Sequence, residues 1–433
     1  MGEIKNIATG SLASAQEVTG NFLKTTKGDK VIWAIVIILT MISILVVYSS
    51  IGSLAYKSNK STESYLFKQV FYIGIGVAII YFLHRVNYTV YARWATIAFF
   101  ISIPLLAYTL FFGTSINEAN RWIKLPVINL TFQTSDLAKL ALFMYMSKIL
   151  SRRQNVIKDF KKGFLPLIIP VFLVCILIAP ANLSTAVLIG GIGLLLMFIG
   201  RVNVKHILMV AGLALIPVLF LVTISASYYN KDDNTSKDLP AVLSVGRVPT
   251  WVKRVQNFMY GGKEDVSYQV QQAKIAIASG GFLGKGPGKS EQRNFLPHPY
   301  SDFIYAIIIE EYGLVGGAVI LLIYLLFLFR SIRLFQRCPF AFGAFLAVAL
   351  SFTLVIQAMV NMAVTVDIFP TTGVTLPLVS MGGSSLLFTC AAIGIILSVA
   401  RNVQQAEGKA SALATQQIEE ESINSNEDKN ENG

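Results

Sequence analysis

The strongest constraint on this chain is a series of charge-free apolar runs long enough to cross a bilayer. Runs 31–51, 94–112, 183–200, 207–228, 313–329 and 340–366 each approach or exceed the ~20 residues that span a hydrocarbon core. Weaker runs at 66–83, 137–149, 165–178 and 384–400 bring the number to ten. Inside lipid the backbone has no water to bond, so a spanning segment of this kind satisfies its own N–H and C=O groups as a helix. The expected fold is all-α: a polytopic membrane protein of about ten transmembrane helices. Composition agrees, since 54% of residues are hydrophobic and 14% charged, against roughly 25% charged in a soluble domain.

Orientation follows from lysine and arginine in the short loops. With the N-terminus cytoplasmic, the inside loops carry Arg85, Arg93, Lys148, Arg152, Arg153, Lys158, Lys161, Lys162, Arg201, Lys205, Arg330, Arg333 and Arg337. The opposite loops hold only Lys57, Lys60, Arg121 and Lys124 outside one long segment. Both termini are therefore expected in the cytoplasm. The net charge of +12 is largely this asymmetry, so nucleic-acid binding is not expected. The first apolar run follows a polar stretch with no small-residue cleavage site after it, and is expected to stay as a helix rather than be removed as a signal peptide. Cys175 and Cys390 lie in apolar runs and Cys338 in a basic loop, without disulfide or metal spacing.

The expected organisation is a cytoplasmic extension at 1–30, seven helices over 31–228, a large extracytoplasmic loop at 229–301, three helices over 302–400 and a disordered tail at 401–433. The loop between helices seven and eight is too long to be a mere connection. Its part 230–238 is polar and expected to be mobile, whereas 266–279 reads as a helix with alanine and isoleucine on one face. Gly280, Gly281, Gly284, Gly286 and Gly288 follow within nine residues. Such a stretch lets backbone approach a ligand or another segment closely. It can serve as a phosphate cradle or as a flexible loop, and it lacks the Lys-Ser/Thr pair of a P-loop.

Ionisable groups in or beside membrane segments are costly unless they face a partner or a cavity. One cluster comprises Asn120, Arg121, Trp122, Gln133, Ser135, Asp136 and Lys139, with Asp136 and Lys139 three apart on one helix face and able to pair. That pair is either purely structural or the wall of a binding cavity. A second cluster is Asp302 at the start of the eighth helix, with Glu310 and Glu311 about two turns in, at membrane depth. Asp302 can act as a general base, bind a divalent cation, or simply cap the helix. His298, between two prolines, is left out of the site.

These residues also carry a resemblance. Phe67-Lys68-Gln69, ANRWI at 119–123, QTSDLAK at 133–139, AIASGGFLGKGPG at 276–288, LPHPYSDFIYAIIIEEYG at 296–313 and PTTGVTLPLVSMGGSS at 370–385 resemble, in order, the ordered motifs of the SEDS family, which includes FtsW, RodA and SpoVE. The likeness spans residues 29–400. It departs at Thr134 for proline, Asp136 for glutamate, Tyr300 for the histidine before the family acid, and Asn182 for an aspartate. The family histidine's role therefore does not carry over.

The resemblance implies a peptidoglycan glycosyltransferase that polymerises lipid II on the outer face of the cytoplasmic membrane, beside a class B penicillin-binding protein, an FtsI-like transpeptidase. The polar N-terminal extension, the acidic tail and PANLSTA at 180–186 look FtsW-like, which implies septal work among other divisome proteins. It places Asp302 on the catalytic acid and gives substrate binding to Arg121, Gln133, Asp136, Lys139, Glu310, Ser384 and Ser385. A divalent cation, Mg2+ or Mn2+, with Asp302 as a ligand fits this chemistry, and no organic cofactor is expected. A lipid II flippase, a RodA-like elongation polymerase and an inert scaffold are the competing readings.

Overall fold

The structure, a computed structural model, describes residues 28–52, 61–116, 119–125, 130–230, 235–236, 240, 243–244, 247–260, 265–297 and 299–431. All ten apolar runs lie on helices. The chain opens with α1 (Lys30–Ser50), α2 (Thr62–Arg85) and α3 (Tyr88–Phe112), started by Asp29, Ser61 and Asn87, whose side chains accept from otherwise unpaired first-turn N–H groups. A small antiparallel sheet that the apolar pattern does not announce follows: β1 (Thr114–Ile116), β2 (Ala119–Leu125) and β3 (Leu130–Gln133). It sets Trp122 opposite Gln133. Next come α4 (Thr134–Arg152), α5 (Leu165–Ile178), α6 (Leu183–Ile199) and α7 (Val204–Ser227), then the short strands β4 (Tyr229–Asn230) and β5 (Thr235–Ser236). The outer segment contributes α8 (Val248–Tyr260) and α9 (Asp265–Gly280), before α10 (Ile304–Arg337), α11 (Ala341–Thr365) and α12 (Gly383–Glu431). Most of 230–238 lies outside the described residues.

Among the described helices, eight are long and apolar enough to cross a membrane, counting α5 with the π-helical turn Phe160–Phe164 before it. α6 is apolar but shorter, at 17 residues. The arrangement inverts that of a soluble bundle. α11 is the central helix, buried along most of its length and packed on α4 and α10, and α12 runs along α2. Its Ser351, Gln357 and Asn361 point inward. At the periphery, α7 buries only Ile207 and Ser225, and presents Leu208, Leu213, Leu219 and Phe220 outward, as a lipid-facing helix does.

Two expectations change. The segment read as a disordered tail continues the last helix, which runs unbroken to Glu431. Its glutamine, glutamate, alanine and lysine residues are good helix formers, and it holds no proline. The glycine-rich stretch is neither a phosphate cradle nor a loose loop: it is docked on α10. Helix α10 has 34 residues, about 51 Å at the helical rise and well over the ~30 Å of a hydrocarbon core. It is interrupted at Gly313, whose φ of 70° and ψ of −175° are not helical. At that break the loop and the helix exchange backbone hydrogen bonds. Lys285 and Gly286 N–H donate to the carbonyls of Glu310 and Glu311 (both 2.9 Å), and Leu314 N–H donates to Gly281 O (3.0 Å). The break thus leaves few backbone groups unsatisfied. A Cβ on Gly280 would collide with the Ile309 carbonyl, and one on Gly284 with that of Glu311, so these glycines are what allow the approach.

Candidate functional site

Asp302 sits in the turn that leads into α10, partly exposed, two residues before the helix begins. The capping role is not taken up: Phe303 occupies the cap position without a side-chain cap bond, and the Asp302 carboxylate accepts from the Ser301 hydroxyl (2.9 Å). The turn itself is held by backbone. Asn361 Nδ2 donates to the Asp302 carbonyl (2.9 Å) and to Val374 O (2.7 Å). Ser380 Oγ donates to Ser301 O (2.7 Å), and Met381 N–H to Tyr300 O (2.9 Å). Gly373 lies against the carboxylate, so that a Cβ there would stand 3.6 Å from Oδ2. The acid is therefore presented from a fixed turn, with its own oxygens lightly engaged.

The first polar cluster is joined to this turn through α11. Lys139 pairs with Asp136 (3.3 Å) as the spacing predicts, and its ammonium also donates to Gln357 Oε1 (2.8 Å). Gln357 Nε2 donates in turn to Thr375 O (3.0 Å), next to the Val374 carbonyl that Asn361 holds. Gln357 and Asn361 are four apart, hence on one face of α11. They connect Asp136 and Lys139 to the loop under Asp302. Sequence reasoning missed both, although two amides four apart in an apolar run were a usable signal. Asn361→Ala would leave the Asp302 and Val374 carbonyls without their donor. It is expected to lower kcat about 10–100-fold with KM little changed, because a small misplacement of a reacting group is costly. Steady-state kinetics of the purified variant checks this.

Glu310 and Glu311 are not at open membrane depth. Both are buried among protein groups at the level of the docked loop. Glu310 is 0% exposed, and accepts from Ser290 Oγ (2.5 Å), Lys285 Nζ (3.0 Å) and the backbone N–H groups of Glu291 (3.1 Å) and Gln292 (3.3 Å). Expected to bind substrate, Glu310 in this structure has its oxygens engaged in clamping the loop. The same bond, with help from Glu291, raises the pKa of Lys285 above the ordinary lysine value of 10.5. Glu311 accepts from Ser49 Oγ, and Arg293 Nη1 donates to Ser49 O (2.8 Å), so the end of α1 is tied to the same knot.

Of the other expected residues, Gln133 and Ser384 meet directly, Gln133 N–H donating to Ser384 Oγ (3.3 Å), with Phe132 edge-on to Phe388 beside them. Ser384 is buried and Ser385 partly exposed at the start of α12. Arg121 has its backbone in β2, while its side chain and all of His298 lie outside the described residues. Asn182, which replaces an acid, caps α6 through Thr185 N–H (3.3 Å). Together with Thr134, Ser135 and Ala181 it borders a small, shallow cleft. The Asp302 turn does not line that cleft. Among the described residues no three His, Cys, Asp or Glu side chains come together. A divalent cation at Asp302 would thus take one carboxylate from the protein and its remaining ligands from water and phosphate oxygens, an arrangement Mg2+ accepts.

The sequence profile of the FtsW/RodA/SpoVE family, described as a cell cycle protein, matches residues 29–405. The chain belongs to the FtsW/RodA/SpoVE family. Among its relatives is a probable peptidoglycan glycosyltransferase FtsW of Geobacter sp. (strain M18), 33% identical over 388 residues, covering 87% of this chain and 98% of the relative. Stage V sporulation protein E of Bacillus subtilis (strain 168) is 31% identical over 386 residues, covering 87% and 98%. The FtsW/RodA/SpoVE fold is also found in solved structures. A chain of a peptidoglycan synthase complex, described for its structural coordination of polymerization and crosslinking, superposes with a TM-score of 0.67 at 23% identity, covering 87% of this chain and 99% of that one. The rod shape determining protein RodA of Thermus thermophilus does so at 0.58 and 22%, covering 88% and 98%. This FtsW/RodA/SpoVE chain is a multi-pass membrane protein.

Proposed function

We propose that this chain is a peptidoglycan glycosyltransferase that polymerises lipid II at the outer face of the bacterial cytoplasmic membrane, in septal wall synthesis during cell division. The observation that carries the reading is the carboxylate of Asp302, relieved of capping and presented from a turn whose carbonyls are held by Asn361, Ser380 and Met381. Asp302 takes the proton of the acceptor sugar hydroxyl as its oxygen attacks the anomeric carbon of the lipid-linked donor. Undecaprenyl pyrophosphate leaves. Lys139 is held in place by Asp136 and Gln357, so its charge is oriented rather than mobile. A divalent cation held by Asp302 would offset pyrophosphate charge. The likeness to a chain of a peptidoglycan synthase complex supports a class B penicillin-binding protein as partner, and the FtsW-named relatives support the septum as location.

The test is direct. Purified protein in detergent, supplied with labelled lipid II, is expected to yield glycan chains. Translocation of lipid II in vesicles without polymer would replace this reading with a flippase. Growth complementation that survives loss of the Asp302 carboxyl would point to a scaffold. Depletion giving filaments or chains supports the division role, and rounding of cells would move the protein to elongation.

A further inference from the structure

Arg254 lies on α8 and has no part in the mechanism above. Its Nη1 donates to the carbonyl of Thr371 (3.1 Å), while its Nε is buried without a hydrogen-bond partner. The next residue of that loop, Thr372, has a buried hydroxyl that also lacks one, and the residue after it is the Gly373 that lies against Asp302. Two buried polar groups that a protein normally satisfies thus sit at the same short loop that passes Asp302.

The charges around them point the same way. Arg247, which enters α8, reaches across to donate to Ala181 O (2.6 Å), and is close enough to disfavour the charge on Arg254. Burial depresses the Arg254 guanidinium further, and Asp302 only partly opposes both. Asp302 is the one carboxylate that acts on Arg254, and it does not offset the cost of burying that charge; a multiply charged anion at the same place would. Lys139, among the residues expected to bind substrate, already has Asp136 and Gln357 as partners.

We infer that Arg254, with the Thr372 hydroxyl, binds the diphosphate group of the lipid-linked donor and stabilises it as it leaves. This rests on the glycosyltransferase reading. As the acceptor O–H bond breaks, its proton goes to Asp302 and the oxygen bonds the anomeric carbon. The bond from that carbon to the diphosphate oxygen breaks, and the electron pair stays on the diphosphate, adding one negative charge. Guanidinium hydrogen bonds strengthen as that charge develops, which is where an interaction accelerates the step.

The experiment measures binding of farnesyl pyrophosphate to the full-length protein in detergent, with farnesol and inorganic pyrophosphate as comparison probes. Arg254→Gln is expected to weaken farnesyl pyrophosphate about tenfold to a hundredfold, as loss of charge-assisted bonds does, without changing farnesol. Arg254→Lys is expected to recover part of the loss, and Thr372→Val to weaken binding severalfold. Asp302→Asn should bind the probe at least as tightly as wild type. Competition by inorganic pyrophosphate that itself depends on Arg254 supports recognition of the diphosphate rather than of the lipid. Unchanged probe binding in Arg254→Gln overturns the inference. So does an Arg254→Gln effect confined to the acid limb of the pH–rate profile, which would make Arg254 a positioning residue for Asp302. Equal loss of farnesol and farnesyl pyrophosphate overturns it as well. Arg254-dependent binding in a protein that makes no glycan would leave this site standing and remove the polymerase reading.

Discussion

Asp302→Asn is expected to lower glycan polymerisation about a thousandfold, within the range that a positioned general base contributes. The amide keeps the size of the side chain and can still accept from Ser301, so the geometry is kept while the negative charge and the capacity to take a proton are lost. The turn should stay in place, because Asn361 and Ser380 hold the carbonyls of Asp302 and Ser301, not the carboxylate. Thermal unfolding is accordingly expected to move by no more than a surface substitution does, about 0.5 kcal/mol. Product gels with labelled lipid II, paired with a melting curve on the same preparation, separate the two effects. Wild-type glycan yield from this variant would remove Asp302 from the chemistry.

Glu310→Ala is expected to act in the opposite way, through stability. It would leave Lys285 with only Glu291, and strip the acceptor from the Ser290 hydroxyl and the Glu291 and Gln292 N–H groups at once. Leaving a buried donor without its acceptor costs about 1–3 kcal/mol, and Ser290 and the Gln292 N–H are such donors. Lower melting temperature and faster amide exchange over 285–294 are the measurements. Glu310→Gln keeps one acceptor and should fall between. A raised KM with an unchanged melting curve would return Glu310 to substrate binding. The pH dependence has a definite sign. Because the lysine pKa is raised in the folded state, the Lys285 contribution is complete below about 10.5 and is lost only as pH climbs through the higher folded value.

The helices were legible in the sequence because a lipid-spanning segment must be apolar and helical at once, which leaves one reading for runs such as 340–366. Asp302 was legible too, as an acid beside a span, though its freedom from capping needed the backbone: the helix starts two residues later than the charge pattern suggests. The setting of Glu310 was not legible, for a physical reason. A carboxylate on a helix looks the same in sequence whether it faces a cavity or a docked loop, and only the fold shows that Ser290 and Lys285 come back to it from about twenty residues away. Arg254 was invisible for a similar reason, since its neighbours Thr371 and Gly373 lie more than a hundred residues on. The sheet carrying Trp122 and Gln133 escaped because its strands are short and have no alternating apolar pattern.

The excess length of α10 has a consequence for where wall material is made. Toward its C-terminal end Arg330 pairs with Asp29 (2.6 Å), the residue that starts α1. A ~30 Å core measured from there uses about twenty residues and ends near Glu310. Asp302, in the turn before the helix starts, then lies beyond that core, on the side of the docked loop. The helix works as a gauge post, its docked loop bracing the raised part. The turn that presents Asp302 is thereby kept at one distance from the lipid, whatever the rest of the bundle does.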